Sequence, residues 1–119
     1  MRDFREIKVW EKAHRLTLNI YRVTSAFPKE ELFGLVSQAR RAAASIAANI
    51  AEGCCRDTNA DFARFLRMSM GSASELDYHL LLAKDLNFIT HSDYEQLFGA
   101  VTEVKRMLTS FIRTLTADS

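Results

Sequence analysis

The stretch Ser37–Gly53 reads SQARRAAASIAANIAEG, and its reading decides the fold. Seven of its seventeen residues are alanine, the strongest helix former, and it carries no proline or β-branched run that would break a helix. Leu35, Ala39, Ala42, Ile46 and Ile50 form an apolar stripe, and Gln38, Arg41, Ser45, Asn49 and Glu52 lie beside it at helical spacing. Ordinary core helices fill space with leucine and isoleucine. A helix of such small side chains lets a partner approach closely and brings its arginines and asparagine against the contact. Upstream, Pro28 with Glu30 and Glu31 is expected to open this helix, with acids at its positive end. Downstream, Gly53 fits the left-handed position that ends helices.

Working outward, Val9, Ala13, Leu16, Ile20, Val23 and Phe27 recur at four-three spacing and predict a first helix over about residues 9–25. It stops before Pro28, which pushes its predecessor out of the α region. Thr58 and Asp61 have capping-box spacing and predict a third helix over 58–86, with Asn87 available as its C-terminal cap. Ser92 and Glu95 form a capping box for a fourth helix over 92–116. There Tyr94, Leu97, Val101, Val104, Leu108, Phe111 and Leu115 make the cleanest amphipathic pattern of the chain. Residues 30–52 supply the second helix. Four helices joined by short connections, with no strand signal, predict one all-α domain, an antiparallel up-down-up-down four-helix bundle. Thr116–Ser119 is expected to fray. Phe4, Ile7 and Trp10 lie outside the first helix stripe, and an arm packing on the bundle or on another subunit would bury them.

Composition narrows the function classes. The chain has 119 residues, 48% hydrophobic and 26% charged, which is ordinary globular composition. Sixteen basic against fifteen acidic side chains leave a net charge of +1, which argues against a generic polyanion binder but allows a local basic patch. No apolar run reaches the roughly 18 residues that span a bilayer, and the opening MRDFREIK has no signal-peptide core, so the cytoplasm is the expected compartment. The adjacent Cys54 and Cys55 suit reduced thiols better than a disulfide.

Catalysis and metal binding find little support. His14, His79 and His91 fall in three different segments without ligand spacing, and Cys54-Cys55 is no CxxC. No nucleophile elbow or phosphate-cradling glycine loop is present. No enzyme activity, metal, cofactor or small-molecule ligand is therefore expected. The polar stripes are the more informative signal. Ser69, Ser72, Glu75 and His79 form a second stripe on helix 3, facing that of helix 2. In an antiparallel hairpin Glu75 falls about 7 Å along the axis from the level of Arg41, within reach of an extended arginine. An Arg41–Glu75 pair is the sharp expectation; the plainer one is that both face water. Arg40, Arg41, Arg56, Arg64 and Arg67 offer a candidate nucleic-acid patch, against the plainer alternative of a solvated face balanced by Glu52, Asp57 and Asp61.

DFREIKVWEKAHRLTLNIY, FPKEELFGLVSQARRAAASIAANIAEG and FARFLRMSMGSASELDYHLLLAKDL, in this order and spacing, resemble the 23S rRNA intervening-sequence family of four-helix-bundle proteins. The resemblance runs from Phe4 to about Leu115. Its motif residues here are Trp10, Lys12, His14, Phe27, Pro28, Phe33, Gly34, Gln38, Arg40, Arg41, Ser45, Asn49, Glu52, Gly53, Ser72 and Glu75. The Cys54-Cys55-Arg56 turn departs from it, since relatives often carry glycine or an aromatic there. The resemblance implies a small bundle that assembles as a ring-like homopentamer and is associated with no catalytic reaction. The expected function is a self-associating interaction or scaffold module, in contact with RNA or a ribonucleoprotein. The polar stripe Gln38, Arg41, Ser45, Asn49, Glu52, Ser72 and Glu75 would line an interface or groove, and Phe4 and Trp10 would anchor subunits. The alternative is an RNA- or DNA-binding protein that adds up the five arginines of each subunit in a ring.

Overall fold

The computed structural model describes residues 2–117 and, over that span, contains four long helices: α1 (Lys8–Thr24), α2 (Ser37–Gly53), α3 (Asn59–Asp85) and α4 (His91–Thr116). Cross-helix contacts fix their directions. Thr17 Oγ1 donates to the Ala43 carbonyl at 3.1 Å, and Arg40 Nε donates to Thr24 Oγ1 at 3.0 Å, so α1 and α2 run antiparallel. Ser45 meets Ser72 at 2.9 Å while Ser69 Oγ donates to the Ile46 carbonyl at 2.8 Å, so α2 and α3 do too. Lys105–Asp77 at 3.4 Å and the Phe62–Phe111 ring pair at 5.3 Å do the same for α3 and α4. Lys12–Glu103 at 3.2 Å closes the ring between α1 and α4. This is the antiparallel bundle the periodicity predicts, and no strand occurs among the described residues.

The core is the sum of the three predicted apolar stripes and the buried face of α3, which adds Leu66, Ala73, Leu76 and Leu80. Val9, Ala13, Leu16, Ile20, Val23 and Phe27 are all buried, as are Tyr94, Leu97, Val101, Val104, Leu108 and Leu115, with Phe111 half-buried at the edge. Between them Ala39, Ala42, Ile46 and Ile50 of α2 are also buried. No helix among the described residues is long and apolar enough to cross a membrane.

The helix ends hold three departures from the sequence reading. The second helix does not begin near Glu30. Lys29–Glu31 form a 3-10 turn and Leu32–Val36 a single π-helical turn, interrupted at Gly34 (φ −112°, ψ −112°). The Glu31 carboxylate causes the break by capping the Leu35 N–H at 3.1 Å; a Cβ on Gly34 would lie 2.9 Å from that oxygen. Gly53 does not adopt a left-handed conformation. It stays helical, and its missing Cβ makes room for Phe62 instead, whose ring a Cβ would meet at 2.7 Å. The fourth helix is capped two residues early: Thr90 Oγ1 accepts from Asp93 N at 3.1 Å, in place of the Ser92–Glu95 box.

Two other ends follow the sequence. Thr58 Oγ1 accepts from Asp61 N at 3.1 Å. Asn87, the one residue with positive φ among the described residues (φ 63°), ends α3 in a Schellman motif, with Phe88 N donating to Ala83 O at 2.9 Å and Asn87 N to Lys84 O at 3.0 Å. Of the segment expected to fray, Thr116 is helical, and Asp118 and Ser119 lie outside the described residues.

Candidate functional site

The α2–α3 contact is a polar zipper made possible by small side chains. Asn49 Nδ2 donates to both the Ser45 carbonyl at 2.9 Å and the Ser45 hydroxyl at 3.0 Å. With its oxygen so engaged, the Ser45 hydroxyl is free to donate across to Ser72. Ser69 is fully buried and spends its proton on the Ile46 carbonyl. These bonds let two slender helices pack closely without stranding a hydroxyl.

Toward the start of α2 the two helices part around a cleft of about 520 Å³. Phe33, Ser37, Gln38, Arg41, Ala42 and Ser45 line it from the π-turn and α2, and Ser72 and Glu75 from α3. Five of the seven expected stripe residues therefore share one site: Gln38, Arg41, Ser45, Ser72 and Glu75. Asn49 lies outside it in the zipper, and Glu52 instead pairs with Arg56 at 2.9 Å. Arg41 and Glu75 face the same cleft but form no ion pair. Arg41 has no hydrogen-bond or ionic partner among the described residues, and His79 Nε2 lies 3.9 Å from the Glu75 carboxylate. His79 is buried with neither ring nitrogen hydrogen-bonded.

Phe33 stands at the mouth of this cleft, 93% exposed. Leu32 and Tyr21 are exposed nearby, and with Phe33, Arg40 and Arg41 they line a second depression of about 290 Å³. Sequence periodicity could not find Phe33, because the π-turn shifts it off the α2 register. The signal that did reach it was the family resemblance, whose motif includes Phe33 and Gly34.

The candidate arginine patch is divided. Arg40 staples α2 to the end of α1, donating to Thr24 and to the Tyr21 carbonyl at 3.3 Å and covering the Tyr21 ring at 4.6 Å. Arg56 and Arg64 lie at the other end of the helix and share Asp61, at 4.0 and 2.9 Å. Both also cover the Phe65 ring. Arg67 is exposed, with no partner among the described residues.

The N-terminal arm is a 3-10 turn, Phe4–Glu6, packed on its own bundle. Phe4 meets Trp10 edge-on at 4.9 Å, Trp10 stacks on His14 at 5.0 Å, and both are half-buried. The Arg2 N–H reaches the Cys54 carbonyl at 3.4 Å. Cys54 is buried and Cys55 exposed, so the two sulfurs do not converge on one ligand. Burial, aided by the neighbouring Cys55, pushes the Cys54 thiol above its ordinary value. No group of three or more metal-ligating side chains occurs among the described residues.

Fold and cleft define a small all-α bundle with a polar inter-helix face. The model of the 23S rRNA-intervening sequence protein family matches residues 5–110, and the chain belongs to that family. A solved protein of unknown function from the S23 ribosomal protein family of Bacteroides thetaiotaomicron VPI-5482 is similar in structure, with a TM-score of 0.80 and 29% identity. The similarity covers 88% of this chain and 98% of that one. No curated protein matches.

Proposed function

We propose that this chain is a non-catalytic interaction module that self-associates into a closed homo-oligomer, with the face around Phe33 and the α2–α3 cleft as its contact surface. The exposure of Phe33 carries the reading. A phenylalanine held in water by a π-turn costs apolar transfer free energy of about 2 kcal/mol, which a subunit contact would recover. Its surroundings have the make-up of an interface centre: Tyr21, Leu32 and Phe33 beside Arg40 and Arg41. Arg41, without a partner among the described residues, and Glu75, whose nearest partner is His79 at 3.9 Å, are opposite charges available to pair across the contact. A ring requires a heterologous contact, so these residues meet a different surface of the next copy. The half-buried Phe4 and Trp10 are secondary anchors on this reading.

Native mass spectrometry and light scattering of the purified chain test the proposal, with the pentamer implied by the family resemblance as the expected mass. Phe33→Ser is expected to shift the population toward protomers while far-UV circular dichroism stays unchanged. A wild-type chain that remains monomeric at about 50 μM, well above the Kd of a stable subunit contact, overturns it. So does an oligomer indifferent to Phe33→Ser and Arg41→Glu.

A further inference from the structure

Three of the cations without partners among the described residues, Arg67, Arg106 and Arg113, gather on a face of which the sequence reading singled out Arg67 alone. Between α3 and α4 runs a groove of about 470 Å³, to which α3 contributes Met70 and α4 contributes Thr102, Lys105, Arg106, Thr109 and Arg113 among its lining. Thr102, Arg106, Thr109 and Arg113 are spaced four, three, four, so hydroxyls and guanidinium groups alternate along one helix face for about 16 Å. Arg67 lies one turn before Met70 on the same face of α3 and is exposed. The Lys105–Asp77 and Phe62–Phe111 contacts set an antiparallel register that puts Arg67 level with Thr109 and Ser110. Arg67, Arg106 and Arg113 have no hydrogen bond or ion pair among the described residues. The acids around them are spent: Asp77 on Lys105, Glu103 on Lys12 and Asp61 on Arg56 and Arg64. A near-neutral chain thus carries a cationic groove whose arginines have no partner among the described residues.

We infer that this α3–α4 groove binds the phosphate backbone of single-stranded nucleic acid. Planar guanidinium groups suit phosphate oxygens, threonine hydroxyls add neutral donors, and the methylene stems with Met70 offer an apolar surface to sugars and base faces. A concave groove without an exposed aromatic or aliphatic anchor does not suit a flat lipid surface. Contacts confined to the backbone make the binding indifferent to sequence and steeply dependent on salt. The groove lies apart from the Phe33 face, so binding does not rest on self-association; assembly multiplies the number of grooves without creating them.

The test is fluorescence anisotropy with a labelled oligouridylate of about eight nucleotides, within the length a single-strand groove engages. Three free arginines predict a slope of log K against log salt of about −2, at about −0.7 per neutralised phosphate. Arg106→Gln/Arg113→Gln is expected to reduce affinity about tenfold or more at low salt and to flatten the slope to about −0.7. Arg106→Lys/Arg113→Lys keeps most of the affinity. Arg56→Gln/Arg64→Gln, whose charges are already paired, leaves it unchanged. Arg64, Arg106 and Arg113 are exposed and Arg56 is half-buried, and circular dichroism verifies that each variant folds. Absence of saturable binding at low salt overturns the inference, as does equal loss in the Arg56/Arg64 variant. Competition by polyglutamate as effective as by unlabelled oligouridylate also overturns it and assigns the groove to an acidic protein.

Discussion

Gly53 and Gly71 should respond with opposite sign to the same substitution. Both sit in helical backbone, where replacing glycine by alanine ordinarily stabilises by about 1 kcal/mol through reduced backbone entropy in the unfolded chain. At Gly71 an added Cβ meets nothing within 4 Å, so the full gain is expected. At Gly53 the Cβ meets Phe62 Cδ1 at 2.7 Å, Phe65 Cβ at 3.0 Å and Phe62 Cε1 at 3.1 Å. Neither neighbour yields easily. The Phe62 ring is held edge-on to Phe111 and beneath the Arg2 guanidinium, and the Phe65 Cβ is fixed to its own backbone. Overpacking of this kind costs about 1–3 kcal/mol, which outweighs the propensity gain. Gly53→Ala is therefore expected to destabilise by about 1 kcal/mol and Gly71→Ala to stabilise by a similar amount, a separation of about 2 kcal/mol. For a chain of this length that is about 8 °C in Tm. Thermal and urea denaturation at one fixed protomer concentration measure it, since association would otherwise shift Tm by mass action. A Gly53→Ala variant as stable as wild type or more so refutes the packing argument and restores a purely conformational role for this glycine.

The helix ends give sharper choices. Thr90→Ala should cost about 1 kcal/mol, whereas Ser92→Ala should stay within about 0.5 kcal/mol, and the reverse order in chemical denaturation would reinstate the Ser92–Glu95 box. Asn87→Gly should hold or raise stability, while Asn87→Ala should lose about 1 kcal/mol, because φ 63° suits glycine and penalises a Cβ. Cys54 gives a pH signature: its thiol value is raised in the fold, so the folded chain retains a proton that the unfolded chain releases. Its contribution is complete below the ordinary thiol value of 9.0 and is lost as pH rises from there through the raised value. Urea midpoints should fall faster with pH in wild type than in Cys54→Ala above about pH 9, and parallel curves would contradict this. Iodoacetamide should label the exposed Cys55 well before Cys54.

The parts of this fold that were legible in the sequence are those governed by local periodicity. The stripes from Val9 to Phe27 and from Tyr94 to Leu115 point inward because spacing of four and three returns to one helix face whatever the partner is. Thr58–Asp61 and Asn87 were legible for a related reason, since each cap is completed within a few residues. Choosing Thr90 over Ser92 required knowing where the Schellman turn after Asp85 releases the chain, two links further along. Gly53 was misread because local rules see only its φ freedom, while the ring filling its space comes from α3. The polar stripes mark the boundary between the two cases. Periodicity could put Arg41 and Glu75 on facing stripes, but whether they pair depends on how far apart the helices stand, and the π-turn opens a cleft there. Charge counting failed for the same reason. Five arginines close in sequence belong to separate surroundings, with Arg40 spent on Thr24 and Arg56 and Arg64 on Asp61. Arg106 and Arg113 of the α3–α4 groove and Arg67 beside it come from helices that meet only in the folded bundle. Which charge remains unpaired is a property of tertiary neighbours, and that is why Arg106 and Arg113 were not visible in the sequence as members of one surface with Arg67.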